Sequence, residues 1–429
     1  MNPQAEALNE IITGENPAVL DMLSTRGKNI FFPKKGILGQ TAEAKGKKFN
    51  ATIGAAIEDD GSPMRLSSLE KLVNLDPANV FPYAPSPGKP GMRRTWKELI
   101  FDKNPSITNK EISMPLVTNA LTHALSICGY MFLNGGDELI VSDLYWGNYN
   151  LIFANAYNAK IEKFQLFNDK SFHVESFRET MMKSKPTKKV VILNFPNNPT
   201  GYTPTVNEVQ EIVNILKSSA ESGNKIVVII DDAYFGLVYE NDIEKESIFA
   251  RLANLHDNLL AVKVDGPTKE DYVWGFRTGF LTYAIKGGTR KLYEALEAKT
   301  GGAIRGSISN ASHLSQSLLF EAYNSPTYKE EKLSKFNTMI SRYKAVKESL
   351  KNEEYNEYFT PYPFNSGYFM CLKLAGGIDG EKLRKHLLDK YSTGIINMNN
   401  VIRLAFSAVA AKDIPLVFEN IYNACKEVK

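Results

Sequence analysis

Histidine and cysteine are scarce in this 429-residue chain, at five and three residues. His123, His173, His256, His313 and His386 form no HxH or HxxxH pair, and Cys128, Cys371 and Cys425 are odd in number and far apart. Neither metal-ligand spacing nor a disulfide framework is visible, and unbridged cysteines fit a cytoplasmic protein. Charge of one sign is lacking too. The 51 Lys and Arg residues against 48 Asp and Glu leave +3, which is no field for nucleic acid, and no basic stripe with interleaved aromatics occurs. The most apolar run, Ile226 to Ile230, is far short of the ~20 residues a membrane helix needs. The start, MNPQAEALNEIITGENPAVL, has no basic region ahead of an apolar core. Fixed-period repeats, GxGxxG and GxxxxGK(S/T) are all absent, which speaks against solenoids and the common nucleotide-binding folds. A small-molecule partner is what remains.

Three segments share one grammar, a short β-branched run that stops abruptly at polar residues. They are Val190 to Leu193 before Asn194-Phe-Pro-Asn-Asn-Pro-Thr-Gly201, Ile226 to Ile230 before Asp231-Asp232-Ala-Tyr234, and Leu259 to Val264 before Asp265-Gly-Pro-Thr-Lys269. Runs so uniformly apolar predict strands buried on both faces. Between the first two, Val206, Val209, Ile212, Val213 and Leu216 recur at helical spacing, predicting a helix over Thr205 to Ser222 with Gly223 beyond its end. Strand, helix, strand implies a mostly parallel α/β sheet sandwiched by helices, with ligands at the carboxyl ends of its strands. Leu139 to Val141 and Ile161 to Phe164 read as further strands, and Leu121 to Phe132 as a helix opened by a Thr118-Asn119 turn. Beyond Pro326, a helix carrying Leu333, Phe336, Ile340, Tyr343, Val346 and Leu350 precedes strands near Tyr368 to Leu374 and Val401 to Phe406, and a last helix over Ile414 to Val428. The chain therefore divides into an N-terminal segment, 1–60, too short to fold alone, a large domain, 61–315, and a smaller α+β domain, 316–429.

Three polar residues at these strand ends invite chemistry. Lys269 follows an apolar strand and a Gly-Pro-Thr turn, and a desolvated lysine can shed its proton and form a Schiff base; a solvated loop lysine is the plainer reading. Asp231 ends an apolar strand, where a carboxylate needs a cation or serves to cap the turn. Arg277 lies among aromatic residues, where a guanidinium suits a phosphate or a salt bridge.

Together, NNPTG, DDAY, TK with an arginine eight residues on, and a late strand carrying Arg403 resemble the fold-type I pyridoxal-phosphate enzymes, specifically the class I/II aminotransferases. The likeness runs from Gly54 to Arg403. Ile53-Gly54-Ala55 with Asp59-Asp60-Gly61, Tyr83 ahead of a Gly-rich turn, Trp146-Gly147-Asn148, and Arg305 ahead of Ser309-Asn310 are similar to the aspartate aminotransferase branch. The resemblance implies pyridoxal 5'-phosphate as cofactor. Lys269 would carry it and shuttle a proton, Asp231 would keep its pyridine nitrogen protonated, and Tyr234 and Asn198 would face its phenolic oxygen. Trp146 would stack on the ring. Arg277, Thr122 and the amides of Ala120 and Leu121 would hold the phosphate, with Tyr83 reaching in from a second subunit. Arg403 would grip the substrate α-carboxylate, Arg305 would reach across a homodimer to a distal carboxylate, and Gly54 would let the N-terminal segment close over the substrate.

Two positions depart from the family. Gly266 stands where a phosphate-binding serine is usual, leaving Thr268 or water to compensate, and Ala120-Leu121-Thr122 replaces a Ser-Gly-Thr type sequence. The implied reaction is ping-pong transamination between an L-amino acid, aspartate or glutamate by the Arg305 reading, and a 2-oxo acid such as 2-oxoglutarate. The alternative is a lyase or decarboxylase on the same scaffold, since no motif reports which bond at the substrate stands perpendicular to the ring.

Overall fold

The computed structural model describes residues 1–15, 23, 28–29, 37–52, 54–62, 64–71, 75–183 and 187–429. Ile53 and about a third of the 1–60 segment lie outside the described residues. The large sheet comprises β1 (Leu116–Asn119), β2 (Glu138–Ser142), β3 (Lys160–Phe164), β4 (Lys188–Leu193), β5 (Lys225–Asp231), β6 (Leu259–Asp265) and β7 (Thr278–Ala284). Its seven strands run in the order β1-β7-β6-β5-β4-β2-β3. β2 to β6 pair in parallel, and only β7 opposes its neighbours β1 and β6.

The uniformly apolar strands arise because both faces are covered. Val190 and Ile192 enter one core, with Val262 and Val264, while Val191 and Leu193 enter the other, with Val228 and Ile230. The expected strand ends hold to within a few residues, but the Thr118-Asn119 turn is instead the end of β1, which runs straight into α2 (Ala120–Phe132). Helix α1 (Pro90–Lys103) precedes these elements. Helix α3 (Val206–Glu221) starts with a Thr205/Glu208 capping box, and Gly223 follows it at φ +100°. The helix bounds and the glycine beyond them match the sequence expectation; the capping box, which satisfies the first-turn amides, was not among the expectations.

A second sheet, β8 (Phe359–Pro361), β9 (Phe369–Leu374), β10 (Ile396–Met398) and β11 (Val401–Ala405), is antiparallel in the order β8-β9-β11-β10. It packs with α4 (Tyr328–Ser349), α5 (Gly380–Tyr391) and α6 (Ile414–Val428) around Ile402, Leu404, Tyr343, Val346 and Phe418. α4 begins earlier than its apolar pattern, and Leu333, expected on the packed face, is 57% exposed. Among the described residues no helix is long and apolar enough to cross a membrane.

The loop after β4 joins the two sheets. The Gly201 carbonyl accepts the amides of Asn365 and Ser366, both at 2.9 Å, and a Cβ at Gly201 would lie 1.9 Å from the Phe369 carbonyl oxygen. Its φ of +72° adds a second reason for glycine. Gly201→Ala is expected to lower unfolding stability by about 3 kcal/mol, read as a reduced urea midpoint with an unchanged m-value.

Candidate active site

The carboxyl ends of β4, β5 and β6, the start of α2 and strand β11 converge on one cavity of about 1410 Å³. Gly54, Ala120, Leu121, Thr122, Trp146, Asn198, Asp231, Tyr234, Thr268, Lys269, Arg277 and Arg403 all line it. Asn198, Asp231 and Lys269 meet because parallel strands deliver their ends to one edge, while Gly54 and Arg403 are brought to the same cavity from the N-terminal segment and the antiparallel sheet.

Lys269 lies in the short helical turn after β6. Burial, helped by the positive charge of Arg277, pulls its amine down to about 8, although Asp231 opposes the shift. Its Nζ stands 5.1 Å from the centre of the Tyr234 ring. The backbone here is fixed from several sides. Tyr368 donates to the Lys269 carbonyl at 2.6 Å, and Glu270 accepts from Lys103 and Lys332, both at 2.7 Å. Asp271 accepts from Tyr323 at 2.9 Å and Tyr328 at 2.8 Å. Against the upward push of burial, the two lysines hold Glu270 at about 2.

Asp231 and Asp232 divide their work. Asp231 faces the cavity, accepting from Tyr149 Oη at 2.5 Å and from the Ala233 amide at 3.2 Å. Burial raises its pKa, while Tyr149, Lys269 and the amide pull it down. Asp232 turns away, pairing with Lys263 and accepting from Ser247 at 2.5 Å. Lys263 also lies 3.4 Å from Asp265, so this interior cation is fully paired beneath the site. The helix-cap reading applies to neither residue, apart from the local turn that Asp231 closes.

At the α2 end, the Asn119 side chain makes no cap hydrogen bond, which leaves the first-turn amides without a side-chain acceptor. Thr268 Oγ1 is buried and unpartnered, and no carboxylate among the described residues pairs with Arg277, whose Nη1 reaches only the Trp274 carbonyl at 3.2 Å. Helix amides, an orphan hydroxyl and a free guanidinium are a donor set that fits a phosphate. The glycine at 266 has a steric cause. A Cβ there would lie 2.9 Å from the Thr278 carbonyl oxygen and 3.0 Å from Gly279 Cα, so the backbone of β7 leaves no room for the serine expected from the family, and Leu121 Cδ1 at 3.0 Å closes the remaining side.

Arg403 is 3% exposed. It faces away from Ile402 and Leu404 as the alternation predicts, donating to Asn198 at 3.3 Å and the Thr52 carbonyl at 3.1 Å. Its guanidinium lies 4.3 Å from the Phe369 ring centre. Burial lowers its pKa, Nε has no partner, and no carboxylate neutralises it among the described residues. Gly54 leaves room beside this wall, since a Cβ there would sit 3.2 Å from Phe369 Cζ.

Tyr83 and Arg305 are not brought into this cavity. Tyr83 is 89% exposed, and Arg305 is exposed and donates to Ser309 at 2.7 Å. The sequence reading missed Tyr149 and Trp274. Tyr149 was detectable as an aromatic residue three positions after Trp146; Trp274, whose buried indole N–H is unpartnered, stands beside Arg277 in a segment read only for its arginine.

The family model described as aminotransferase class I and II matches residues 48–419. An aspartate aminotransferase of Bacillus sp. (strain YM-2) is 26% identical over 313 residues, covering 70% of this chain and 71% of its own length. The cytoplasmic aspartate aminotransferase of Caenorhabditis elegans is 23% identical, covering 75% and 78%. An aminotransferase of Anaerococcus prevotii superposes with a TM-score of 0.82 at 25% identity, over 94% of this chain and 98% of its own. A match spanning both sheets and every element around the cavity makes this chain a member of the class I and II aminotransferases, enzymes of the fold-type I pyridoxal-phosphate group.

Proposed function

We propose that this enzyme uses pyridoxal 5'-phosphate to move an amino group from an L-amino acid, aspartate or glutamate, to a 2-oxo acid such as 2-oxoglutarate. The observation that carries the reading is the pairing, in one cavity, of an amine lowered to about 8 at Lys269 with a buried guanidinium, Arg403, that has no anionic partner among the described residues. The cofactor supplies a carbonyl that captures the amino group and a ring that accepts the electron pair left at Cα. Arg403 binds and orients the α-carboxylate. Lys269 takes the proton from Cα and returns it. Asp231 pairs with the ring nitrogen, and Tyr234 and Asn198 hydrogen-bond the phenolic oxygen. Trp146 covers the ring, while Arg277, Thr122, Thr268 and the Ala120 and Leu121 amides hold the phosphate. Gly54 leaves space for the N-terminal segment to close.

The reading includes a large cofactor-binding domain over 61–315, a small domain over 316–429, a cytoplasmic setting and a homodimer. Exposure of Tyr83 and Arg305 in the single chain supports their service to a partner's site; light scattering is expected to give a dimer mass. The test is incubation of the purified enzyme with aspartate and 2-oxoglutarate. Oxaloacetate and glutamate in equal amounts, without ammonia or CO₂, are expected. Ammonia or CO₂ as the main product would replace transamination by a lyase or decarboxylase. For the acidic preference, Arg305→Leu is expected to lower kcat/KM for aspartate about 100-fold while altering that for alanine less than about threefold; equal losses for both would remove Arg305 from the substrate site.

A further inference from the structure

We propose that Tyr149 is a positioning residue that fixes the Asp231 carboxylate, ionised and aimed at the cavity. The inference rests on the proposed role of Asp231 as partner of the ring nitrogen.

Asp231 Oδ2 takes its hydrogen bond from Tyr149 Oη at 2.5 Å, and Oδ1 takes the Ala233 amide at 3.2 Å. One oxygen is thus held by the chain that carries the aspartate and the other by a distant element. The Asp231 backbone carbonyl accepts from Asn194 at 2.8 Å, so the carboxylate has little freedom apart from rotation about its own side chain, which Tyr149 stops. Tyr149 is itself fixed. It is 1% exposed, lies edge-on to Trp146 at 5.7 Å and 80°, parallel to Tyr145 at 6.2 Å and 6°, and edge-on to Phe153 at 6.0 Å.

Among the described residues, the titratable and charged groups facing Asp231 are Cys128 of α2, Tyr149, Tyr234 after β5 and Lys269 after β6. Burial raises the pKa of Cys128, Tyr149 and Tyr234, so all three stay neutral at ordinary pH. Lys269 is the one cation of the set, and an amine that carried the cofactor would no longer offer Asp231 a free ammonium. Tyr149 then becomes the strongest side-chain donor left to the carboxylate. Its removal makes Asp231 easier to protonate, and a neutral acid does not hold a protonated ring nitrogen.

The test measures the dissociation constant of pyridoxal 5'-phosphate from the full-length enzyme by fluorescence between pH 5 and 9. The Asp231-dependent part is the difference between wild type and Asp231→Asn. In wild type, affinity falls as pH drops through the point where Asp231 gains its proton. In Tyr149→Phe this acid limb is expected about one pH unit higher, a tenfold change in proton affinity, with the circular dichroism spectrum unchanged. Incorporation of 3-fluorotyrosine at position 149, a stronger donor of nearly the same size, moves the limb to lower pH and keeps the test valid if the phenylalanine variant folds poorly. A purely structural role predicts weaker binding at every pH with the limb in place, and that result overturns the proposal. Should Asp231→Asn keep the wild-type limb, the assignment of Asp231 fails and the Tyr149 proposal with it. Loss of the limb in Asp231→Asn without movement in either Tyr149 variant refutes Tyr149 alone.

Discussion

Replacing Lys269 with alanine is expected to lower kcat for amino-group transfer by about 10⁴-fold or more, with the fold intact. An amine at about 8 is about one-tenth unprotonated at pH 7, against about 0.03% for an ordinary lysine. The site thus raises the nucleophilic fraction roughly 300-fold before any substrate arrives. The gain comes from burial, and removing a desolvated amine does not weaken the fold as removing a paired one would. The side chain makes no ion pair among the described residues, while the turn is held through the Lys269 carbonyl, by Tyr368, and through Glu270 and Asp271. Those bonds survive the substitution, so the urea midpoint should stay within error. Borohydride reduction of the holoenzyme and peptide mass spectrometry check the assignment. The cofactor mass is expected on the peptide bearing Lys269 and on no peptide of Lys269→Ala. Residual kcat within tenfold of wild type, or label on another lysine, would sink it.

The middle of the large sheet, β4 to β6, was legible because those strands are buried on both faces and so read as apolar runs ending in polar clusters. Strand β7 has no such clean signal. Its Thr278, Gly279, Thr282 and Tyr283 interrupt the run, although every residue of the strand is buried, and its antiparallel direction depends on pairing that no local pattern reveals. Gly279 is required because a Cβ there would lie 2.6 Å from the Ala120 carbonyl carbon, a constraint set by an element some 160 residues earlier in sequence. Within the site, residues that end strands were found, since topology alone sends them to one edge. Residues that act through tertiary hydrogen bonds were not. The spacing of Tyr149 from Trp146 marks it as an aromatic near the site, but its bond to Asp231 appears only once the two elements are docked, and Lys263 reads as a blemish in an apolar strand until Asp232 and Asp265 appear beside it. The two aspartates of DDAY look equivalent in sequence; the alternation of β5 sends one toward the cavity and the other into the interior ion cluster.

Asp231→Asn is expected to act in opposite directions on catalysis and on stability. Asparagine keeps the shape but cannot neutralise a protonated ring nitrogen, so a buried charge pair and the transition-state stabilisation that depends on it are both lost. By the usual size of such effects kcat falls about 10³-fold, and cofactor affinity falls with it. Without cofactor the sign reverses. Burial raises the pKa of Asp231 above its ordinary value, so the folded apoprotein binds this proton more tightly than the unfolded chain. Ionised Asp231 therefore weakens the apo fold at neutral pH, and that penalty fades as pH falls through the folded-state pKa. The neutral amide removes the penalty at every pH. Apo Asp231→Asn should melt above apo wild type at pH 7.5, with the two curves converging in acid, whereas the holoenzymes should rank the other way. Lys269 provides an internal control, because Asp231 holds its amine up; in the variant the amine should titrate at lower pH, visible as faster modification by carbonyl reagents at pH 7. Equal melting temperatures of the two apoproteins at pH 7.5, with equal lysine reactivity, would show that Asp231 is already neutral in the apo site and cannot serve as a standing charge for the ring nitrogen.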